Sequence, residues 1–224
     1  MPSIGKTLRL FGLKHCAMFA KDGLSIIEAM SDPSRAERPP TLDPVASARW
    51  TGWPHATSPW LNEEIGRRME DRLQWIRLQP RSWVDWAPLS GGLQRYAKLR
   101  ARYPQAHCQV LETTAQREHL ARQVLQVPWW QRWLKPDALT FGAPGASSAD
   151  MVWANMALHT SDDPHALLQK WHQLLAVDGF LMFSCLGPDT LRELADAYQN
   201  KGWPPACHAF TDMHDWGDML VQAG

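Results

Sequence analysis

A loop that bears glycine and an acidic residue further along the chain are the features of this sequence best suited to ligand chemistry. The loop Ala87–Gly92 follows the short apolar segment Trp83–Trp86, and Glu112 ends the next apolar segment about 20 residues later. Amides of such a loop can approach the polar tail of a ligand, and an acid at the second strand end can bind both hydroxyls of a ribose. The spacing therefore predicts a nucleoside-binding half-sheet, with an ordinary solvated acid as the alternative for Glu112.

The elements around this loop alternate between strands and helices. Short apolar runs predict strands at Ser82–Trp86 and Gln105–Glu112, and apolar residues at helical spacing predict helices at Leu93–Tyr103 and Ala115–Leu125. Alternation of this kind is typical of an open α/β sheet, in which ligands bind at the carboxyl ends of the strands.

A second unit of the same kind lies in the stretch Ser148–Phe183. It begins with a buried strand that ends in a polar turn at Asn155, and an amphipathic helix follows at Pro164–Leu175. A turn at Asp178-Gly179 then leads into a strand over Phe180–Leu186. This β-α-β unit predicts two further parallel strands.

Helices are also predicted before the first strand. Asp43–Leu78 contains two helical pieces separated by Pro54 and Pro59, with Asn62 as the candidate N-cap of the second piece. Three tryptophans precede or begin this second piece, and they would either cover a cleft or make plain core contacts: Trp50, Trp53 and Trp60.

The chain is predicted to end in two more helices, Asp189–Asn200 and Asp212–Ala223. Asp189 or Pro188 would lie at the start of the first of them, and an acid there complements the helix dipole. That helix has a wide apolar face, formed by Leu191, Leu194, Ala195 and Tyr198.

Composition narrows the function classes. The 224 residues suffice for one α/β domain with a sizeable core, and the formal net charge of zero gives no sign of nucleic acid or an anionic membrane as partner. No apolar run approaches the roughly 18 residues that would span a bilayer. The four cysteines are widely spaced, which favours buried thiols in a reducing cytoplasm over zinc ligands or disulfides.

The domain organisation that we predict is an extension and linker at residues 1–44, poorly ordered, followed by one domain at residues 45–224. The prolines after Met30 are typical of a linker, so translation starting at Met30 is one alternative, and a weak targeting peptide is another. The tryptophan-rich segment Pro128–Lys135 is predicted to be a loop or short helix packed on the domain rather than a membrane or stacking surface.

The run from Asp150 to Leu194 resembles the class I S-adenosylmethionine-dependent methyltransferases, and within them the malonyl-acyl-carrier-protein O-methyltransferases of biotin synthesis. Three segments carry the resemblance: the strand and turn Ala149–Leu158, the turn Leu174–Leu181, and Phe183–Leu194, which matches the part specific to the subfamily. The resemblance extends loosely from Arg49 to Gly224.

The resemblance implies a Rossmann-like α/β fold, a parallel sheet with flanking helices that lacks the last strands of the family. It implies S-adenosyl-L-methionine as cofactor and methyl transfer to the carboxylate of a malonyl thioester on acyl-carrier protein. No catalytic acid or base is implied, because the donor is already electrophilic and the reaction needs mainly positioning. A catalytically impaired relative that acts as a binding protein is the alternative.

The resemblance also implies which residues bind the cofactor. Asp85 matches the motif acid of the first strand, Glu112 the ribose acid, and Asn155 the turn asparagine beside the donor. The positions carried over from the family are, in full, Asp85, Ala87, Ser90, Gly91, Glu112, Thr113, Asp137, Ala138 and Asn155.

The loop departs from the family pattern at three positions. Ala87 and Leu89 stand where the family has its first two glycines, and only the third remains, as Gly91. Pro88 removes one amide donor. From the sequence we expect the side chain of Leu89 to occupy space that the family leaves to the donor.

Overall fold

The computed structural model describes residues 8–13, 16–21, 42–53, 57–125 and 139–224. Its seven strands, in chain order, are β1 (Leu8–Leu13), β2 (Cys16–Lys21), β3 (Ser82–Trp86), β4 (His107–Leu111), β5 (Leu139–Phe141), β6 (Ala149–Ala154) and β7 (Leu175–Phe183). Its helices are α1 (Pro44–Gly52), α2 (Trp60–Arg72), α3 (Pro88–Gly91), α4 (Leu93–Arg102), α5 (Ala115–Val124), α6 (Pro164–Leu174), α7 (Arg192–Asn200) and α8 (Met213–Ala223). Short 3-10 turns at Leu73–Trp75 and Leu158–Thr160 complete the described elements.

The strands form one sheet in the order β1-β2-β7-β6-β3-β4-β5. Strands β3 to β7 run parallel, whereas β2 pairs antiparallel with β7 and carries β1 at the sheet edge. No strand follows β7 within the described residues 184–224. The predicted fold class, a Rossmann-like parallel sheet with flanking helices, is confirmed.

The central strands are buried on both faces, as parallel strands in α/β proteins are. On one face, Val84 and Val152 pack with residues of α6 and α8 such as Trp171 and Trp216. The opposite face forms a second apolar layer with helices α2, α4 and α5, whose buried members include Met69, Trp83, Leu89, Leu99, Val110, Ala121 and Met151. Helices on both faces leave the strand ends as the place where polar groups can meet a ligand.

Side-chain caps define where several helices begin. The Asp163 carboxylate accepts the amide of Ala166 at 2.9 Å at the start of α6, and the Thr114 hydroxyl accepts that of Arg117 at 3.3 Å at the start of α5. The prediction of Asn62 as an N-cap is wrong. Helix α2 already begins at Trp60, and the Asn62 amide instead donates to the carbonyl of Ser90 at 2.8 Å.

The predicted turn at Asp178-Gly179 and both predicted ends of the strand Phe180–Leu186 are wrong. Asp178 and Gly179 lie inside β7, not in a turn before it, and β7 begins at Leu175 and ends at Phe183. The pair forms an irregularity opposite Ala149–Met151, with Asp178 at φ 64°. A Cβ at Gly179 would lie 2.9 Å from the carbonyl oxygen of Ala149, so the close approach of the two strands requires glycine here.

Helix α7 also differs from its prediction. It begins at Arg192, because Gly187–Thr190 forms a turn and Leu191 adopts a left-handed conformation before the helix. None of its residues is buried, and Leu191 and Leu194 are 50% and 42% exposed. The predicted apolar face is therefore not buried among the described residues.

Part of the sequence predictions lies outside the described residues. Strands β1 and β2 fall within the predicted extension 1–44, but most of that range is not described, and the domain boundary at residue 45 stays a prediction. The segment Pro128–Lys135 is likewise outside the described residues. None of the described helices is both long and apolar enough to cross a membrane.

Candidate functional site

A cavity of about 730 Å³ opens at the carboxyl ends of the central strands. Residues that follow β3, β6 and β7 form its floor, and α1 with the start of α2 covers it. The lining residues are Leu42, Ala46, Ser47, Trp50, Thr51, Pro59, Leu61, Asn62, Trp86, Ala87, Ser90, Thr113, Asn155, Met156, Ala157, His159, Thr160, Ser161, Asp162, Leu167, Leu186, His208 and Phe210. Its volume falls in the range of about 300 to 1,000 Å³ that is usual for small-molecule sites.

The chain leaves two of these strands through left-handed residues. Ala87 after β3 has φ 51°, and Met156 after β6 has φ 56°. Such a conformation costs a residue with a Cβ roughly 1–2 kcal/mol, and residues held in it cluster at ligand sites. Ala87 thus keeps the backbone geometry for which glycine is best suited, and its methyl group lies on the cavity wall.

Leu89 corrects an expectation from the sequence. Its side chain is fully buried in the apolar layer with Met69 and Trp83, and it is not among the residues that line the cavity. The replacement of the second family glycine by leucine therefore adds to the core and does not fill the cavity. The sequence could not show this, because the short helix α3 that turns Leu89 inward lies where a loop was predicted.

The amides of this loop are already bound within the protein. The amide of Leu89 donates to Glu112 at 2.9 Å, and those of Ser90 and Gly91 donate to the carbonyl of Ala87 at 3.0 and 2.9 Å. A Cβ at Gly91 would lie 3.1 Å from the carbonyl oxygen of Asn155, so this glycine allows α3 to approach the end of β6.

Glu112 is held in a buried ion pair with Arg117. The Arg117 Nε donates to Glu112 at 2.8 Å, and both side chains have no exposure to solvent. The other guanidinium nitrogens of Arg117 donate to the carbonyl of Trp53 and to the hydroxyl of Ser90, each at 2.7 Å. One side chain thereby joins the end of β4, helix α3 and the segment after α1.

This ion pair bears on both interpretations of Glu112. The pKa of the Glu112 carboxyl is raised, because the effect of burial exceeds the opposing effects of Arg117 and the Leu89 amide. The alternative of a solvated strand-end acid is wrong, because the carboxylate is fully buried. Glu112 also does not line the cavity, so its role as ribose ligand stays a prediction. The sequence analysis did not identify Arg117 as the partner of Glu112. The one signal for this pair was the spacing of five residues between the acid and the arginine.

Asp85 lies away from the cavity as well. It is 3% exposed, and it belongs to the strand face that carries Trp83. Burial raises the pKa of its carboxyl well above the ordinary value, with further contributions from Glu112 and Glu63. Its carboxyl is therefore buried within the fold, and Asp85 is not among the residues that line the cavity.

Asn155 both lines the cavity and holds its floor together. Its amide donates to the carbonyl of Asn62 at 2.6 Å and also to that of Gly91, and its side-chain oxygen accepts the hydroxyl of Ser184 at 2.6 Å. These contacts connect the ends of β6 and β7 to α2 and α3. Asn155 is 2% exposed, so the loss of any of these partners would leave a buried polar group.

The remaining predicted site residues divide into two groups. Ser90 and Thr113 line the cavity, and the hydroxyl of Thr113 donates to the carbonyl of Thr51 at 2.8 Å. Asp137 and Ala138 lie outside the described residues. The structure thus brings together Ala87, Ser90, Thr113 and Asn155 on one cavity wall.

The tryptophans in α1, after it and at the start of α2 are not core residues. Trp50, Trp53 and Trp60 are 57%, 55% and 78% exposed, so the prediction of plain core contacts is wrong. Trp50 lines the cavity, which agrees with the other alternative, in which an aromatic side chain covers a cleft.

Two histidines on the cavity wall were not identified from the sequence. His159 and His208 each pack edge-on against Phe210, with ring centroids 6.3 and 4.5 Å apart. Burial lowers the pKa of His159 to about 4, with a smaller contribution from His208. Nothing in the sequence pattern could pair them, because they lie in separate loops. Among the described residues, no three His, Cys, Asp or Glu side chains group as metal ligands.

Comparison with known proteins connects this geometry to a family. Residues 87–183, which run from the left-handed Ala87 to the end of β7, match a family model described as a methyltransferase domain. The match includes α3, Glu112, Arg117 and Asn155, so it contains most of the cavity floor.

Curated relatives share more specific similarity. A malonyl-acyl-carrier-protein O-methyltransferase of Gallionella capsiferriformans is 39% identical over 171 residues, covering 73% of this chain and 58% of that protein. The protein of the same name from Laribacter hongkongensis is 39% identical over 171 residues, covering 73% of this chain and 57% of its own length. The chain therefore spans less than three fifths of the length of these relatives.

Solved structures share the fold at low sequence identity. An O-methyltransferase candidate of Nostoc punctiforme has a TM-score of 0.50 at 20% identity, covering 72% of this chain and 50% of that one. The cyclase SpnF has a TM-score of 0.50 at 11% identity, covering 72% of this chain and 56% of that one. Fold similarity across two such names does not define a reaction. Together with the matched domain and the curated relatives, it shows that residues 87–183 form a methyltransferase domain with a Rossmann-like fold.

Proposed function

We propose that this chain is an S-adenosylmethionine-dependent O-methyltransferase that methylates the free carboxylate of a malonyl thioester in the synthesis of the biotin precursor. The observation that carries the proposal is the cavity at the strand ends, whose floor lies within the matched methyltransferase domain. The relatives that bear this name supply the substrate class.

The lining residues fit the methyl donor in place and size. Trp86, Ala87, Ser90 and Asn155 would hold it, on a wall that combines an aromatic face with polar groups. When bound, the donor supplies an electrophilic methyl group on sulfur. Glu112 could join this set only after release from Arg117, because both of its carboxylate oxygens are bound within the protein.

The chain itself contributes positioning and exclusion of water. A carboxylic acid is ionised near neutral pH, so the acceptor already has a nucleophilic oxygen and needs no general base. Trp50, Leu61 and Leu167 cover the cavity with apolar surface, which reduces hydration of the attacking oxygen and makes polar contacts inside stronger. Holding two reactants in line is the main source of rate acceleration that such a site offers.

The acceptor would be presented by acyl-carrier protein in its malonyl form, in the cytoplasm. We make no proposal on the oligomeric state.

Calorimetry with S-adenosylmethionine and a transfer assay with a labelled methyl group on malonyl-acyl-carrier protein test the function. We expect saturable heat with the donor and label in a malonyl methyl ester. The matched control is acyl-carrier protein that carries an acetyl thioester, which has no free carboxylate and should take no label. Absence of both donor binding and malonyl-dependent label would refute the proposal.

A second function is favoured by one observation, the buried Glu112–Arg117 pair beside a loop whose amides are already bound. A relative with this arrangement would keep the fold, lose donor binding, and act as a binding protein. Donor binding by the unmodified protein at micromolar concentration would exclude this alternative. If the protein is inert, Ala87→Gly tests the loop, whereas Leu89→Gly does not, because it removes a buried core side chain.

A further inference from the structure

The cavity has a limited set of groups that could bind an anionic acceptor. Among the described residues that line it there is neither lysine nor arginine, and the basic side chains among them are His159 and His208. Within the described part of the chain, Asp162 is the one residue of this lining with a carboxyl side chain. A carboxylate that leaves water for such a cavity needs hydrogen-bond donors there.

The position of His159 identifies which ring nitrogen can serve. The backbone amide of Leu186 donates to Nδ1 of His159 at 3.4 Å, so the tautomer consistent with this contact carries its hydrogen on Nε2. Leu186 follows β7, and His159 lies in the 3-10 turn after β6. The segments that follow β6 and β7, which begin with Asn155 and Ser184, thus also orient this imidazole.

A neutral His159 ring suits the binding of a carboxylate that must act as nucleophile. Burial holds the pKa of His159 at about 4, so the ring is neutral near pH 7. A neutral N–H orients a carboxylate without the strong charge pairing that a lysine or arginine would impose, and so leaves more electron density on the attacking oxygen. His208 is exposed and lies 4.5 Å from the Phe210 ring between centroids, towards the solvent side of the pair.

We propose that His159 is a substrate-binding residue whose Nε2–H donates to the free carboxylate of the acceptor, with His208 as a second contact nearer to solvent. This assignment rests on the proposed function and names the acceptor side of its site. In the transfer, the second carboxylate oxygen forms the new bond to the methyl carbon. The methyl–sulfur bond breaks and its electron pair stays on sulfur. No proton moves, so His159 is not a base.

Two substitutions of His159 separate binding from folding. In His159→Asn the side-chain oxygen can still accept the Leu186 amide, but the amide nitrogen is too short to replace Nε2. In His159→Gln the amide nitrogen reaches the position of Nε2 and keeps a donor. His165→Leu is the matched control, because His165 lies in α6 and is not among the lining residues.

The first measurement is equilibrium binding of malonyl-pantetheine, a soluble malonyl thioester, by calorimetry. Loss of a hydrogen bond to a charged group corresponds to about a tenfold or greater rise in Kd, which we expect for His159→Asn. His159→Gln should stay within about threefold of the unmodified protein, as should His165→Leu. Equal Kd values for His159→Asn and the unmodified protein would overturn the assignment, as would no binding by the unmodified protein.

The second measurement is methyl transfer, which reports on the proposed function separately. We expect His159→Asn to raise KM for malonyl-acyl-carrier protein by about tenfold or more, with the donor Kd unchanged. A product-forming enzyme whose His159→Asn variant keeps its KM would overturn the role of His159 and leave the proposed function standing. Thioester binding that depends on His159 in a protein that transfers no methyl group would support His159 and refute the proposed function.

Discussion

The two halves of the sheet's carboxyl edge use their polar groups in different ways. At the ends of β3 and β4, Glu112 and Arg117 are fully buried and bind each other, the loop amide of Leu89 and the carbonyl of Trp53. At the ends of β6 and β7, Asn155 and His159 also bind the backbone, but both line the cavity. We call these the closed half and the open half.

The comparison shows that strand-end position alone does not make a residue available to a ligand. In the closed half, Arg117 in the first turn of α5 binds one carboxylate oxygen of Glu112, and the Leu89 amide binds the other. Breaking such a pair leaves an uncompensated buried charge. In the open half, the equivalent contacts are made by neutral amide and hydroxyl groups, which hold the backbone and still leave the side chain on the cavity wall.

The largest effect is expected for the ion pair of the closed half. Arg117→Met should destabilise the protein by about 3–5 kcal/mol, because Glu112 would remain buried without its partner. Adding Glu112→Gln should recover a large part of that loss, since a neutral amide can still accept the Leu89 amide. Urea denaturation of the single and double variants measures both. A loss below about 1 kcal/mol for Arg117→Met would contradict a closed half.

A smaller effect is expected in the open half. Asn155→Ala removes the partner of two backbone carbonyls and of Ser184, so it should cost about 2–3 kcal/mol. Ser184→Ala, which breaks only one of these bonds and the contact to the Met156 amide, is the comparison variant, at about 1 kcal/mol. The same denaturation experiment applies. Equal losses for the two variants would show that Asn155 does not connect α2 and α3 to the floor.

The closed half also predicts a pH dependence through Asp85. Burial, and next the charges of Glu112 and Glu63, raise its pKa, so the folded protein holds this proton more tightly than the unfolded chain. The resulting stability is complete below the ordinary aspartate value and is lost as pH rises above it. The variant Asp85→Asn has no carboxyl group to lose a proton, so its stability does not fall with rising pH for this reason. Its free energy of unfolding relative to the unmodified protein should therefore increase from about pH 5 to about pH 8, and a constant difference would rule the burial effect out.

The smallest effect is expected at the boundary of the closed half. Ala87→Gly removes the strain of a left-handed alanine, which stabilises the folded state. It also makes the unfolded chain more flexible, which opposes folding. Because these two effects nearly cancel, the free energy of unfolding should change by less than about 1 kcal/mol. The methyl group lost lies on the cavity wall, so the donor Kd is the more informative measurement. A donor Kd that improves would show that this methyl limits the closed half, and an unchanged Kd would place the limit at Glu112 and Arg117.

Much of the fold could be predicted from the sequence because its signals are local. The period of apolar residues predicted α4, α5 and α6 to within a residue or two at their ends, and continuous apolar runs predicted β3, β4 and β6. Both ends of β7, the start of α7 and the cap of α2 were predicted less well, because backbone pairing and turns decide them. Helix α3 lies in a stretch of four residues, too short for any period to show.

The sequence by itself determined the alternation of β3, α4, β4 and α5 and the similarity to methyltransferases, since each depends on residues close together in the chain. Only the tertiary structure decided that Leu89 faces the core, that Arg117 occupies Glu112, and that His159 shares a cavity with Asn155. These outcomes depend on which side chains meet across elements distant in sequence. Burial then keeps the His159 ring neutral near pH 7, and no spacing in the chain encodes burial.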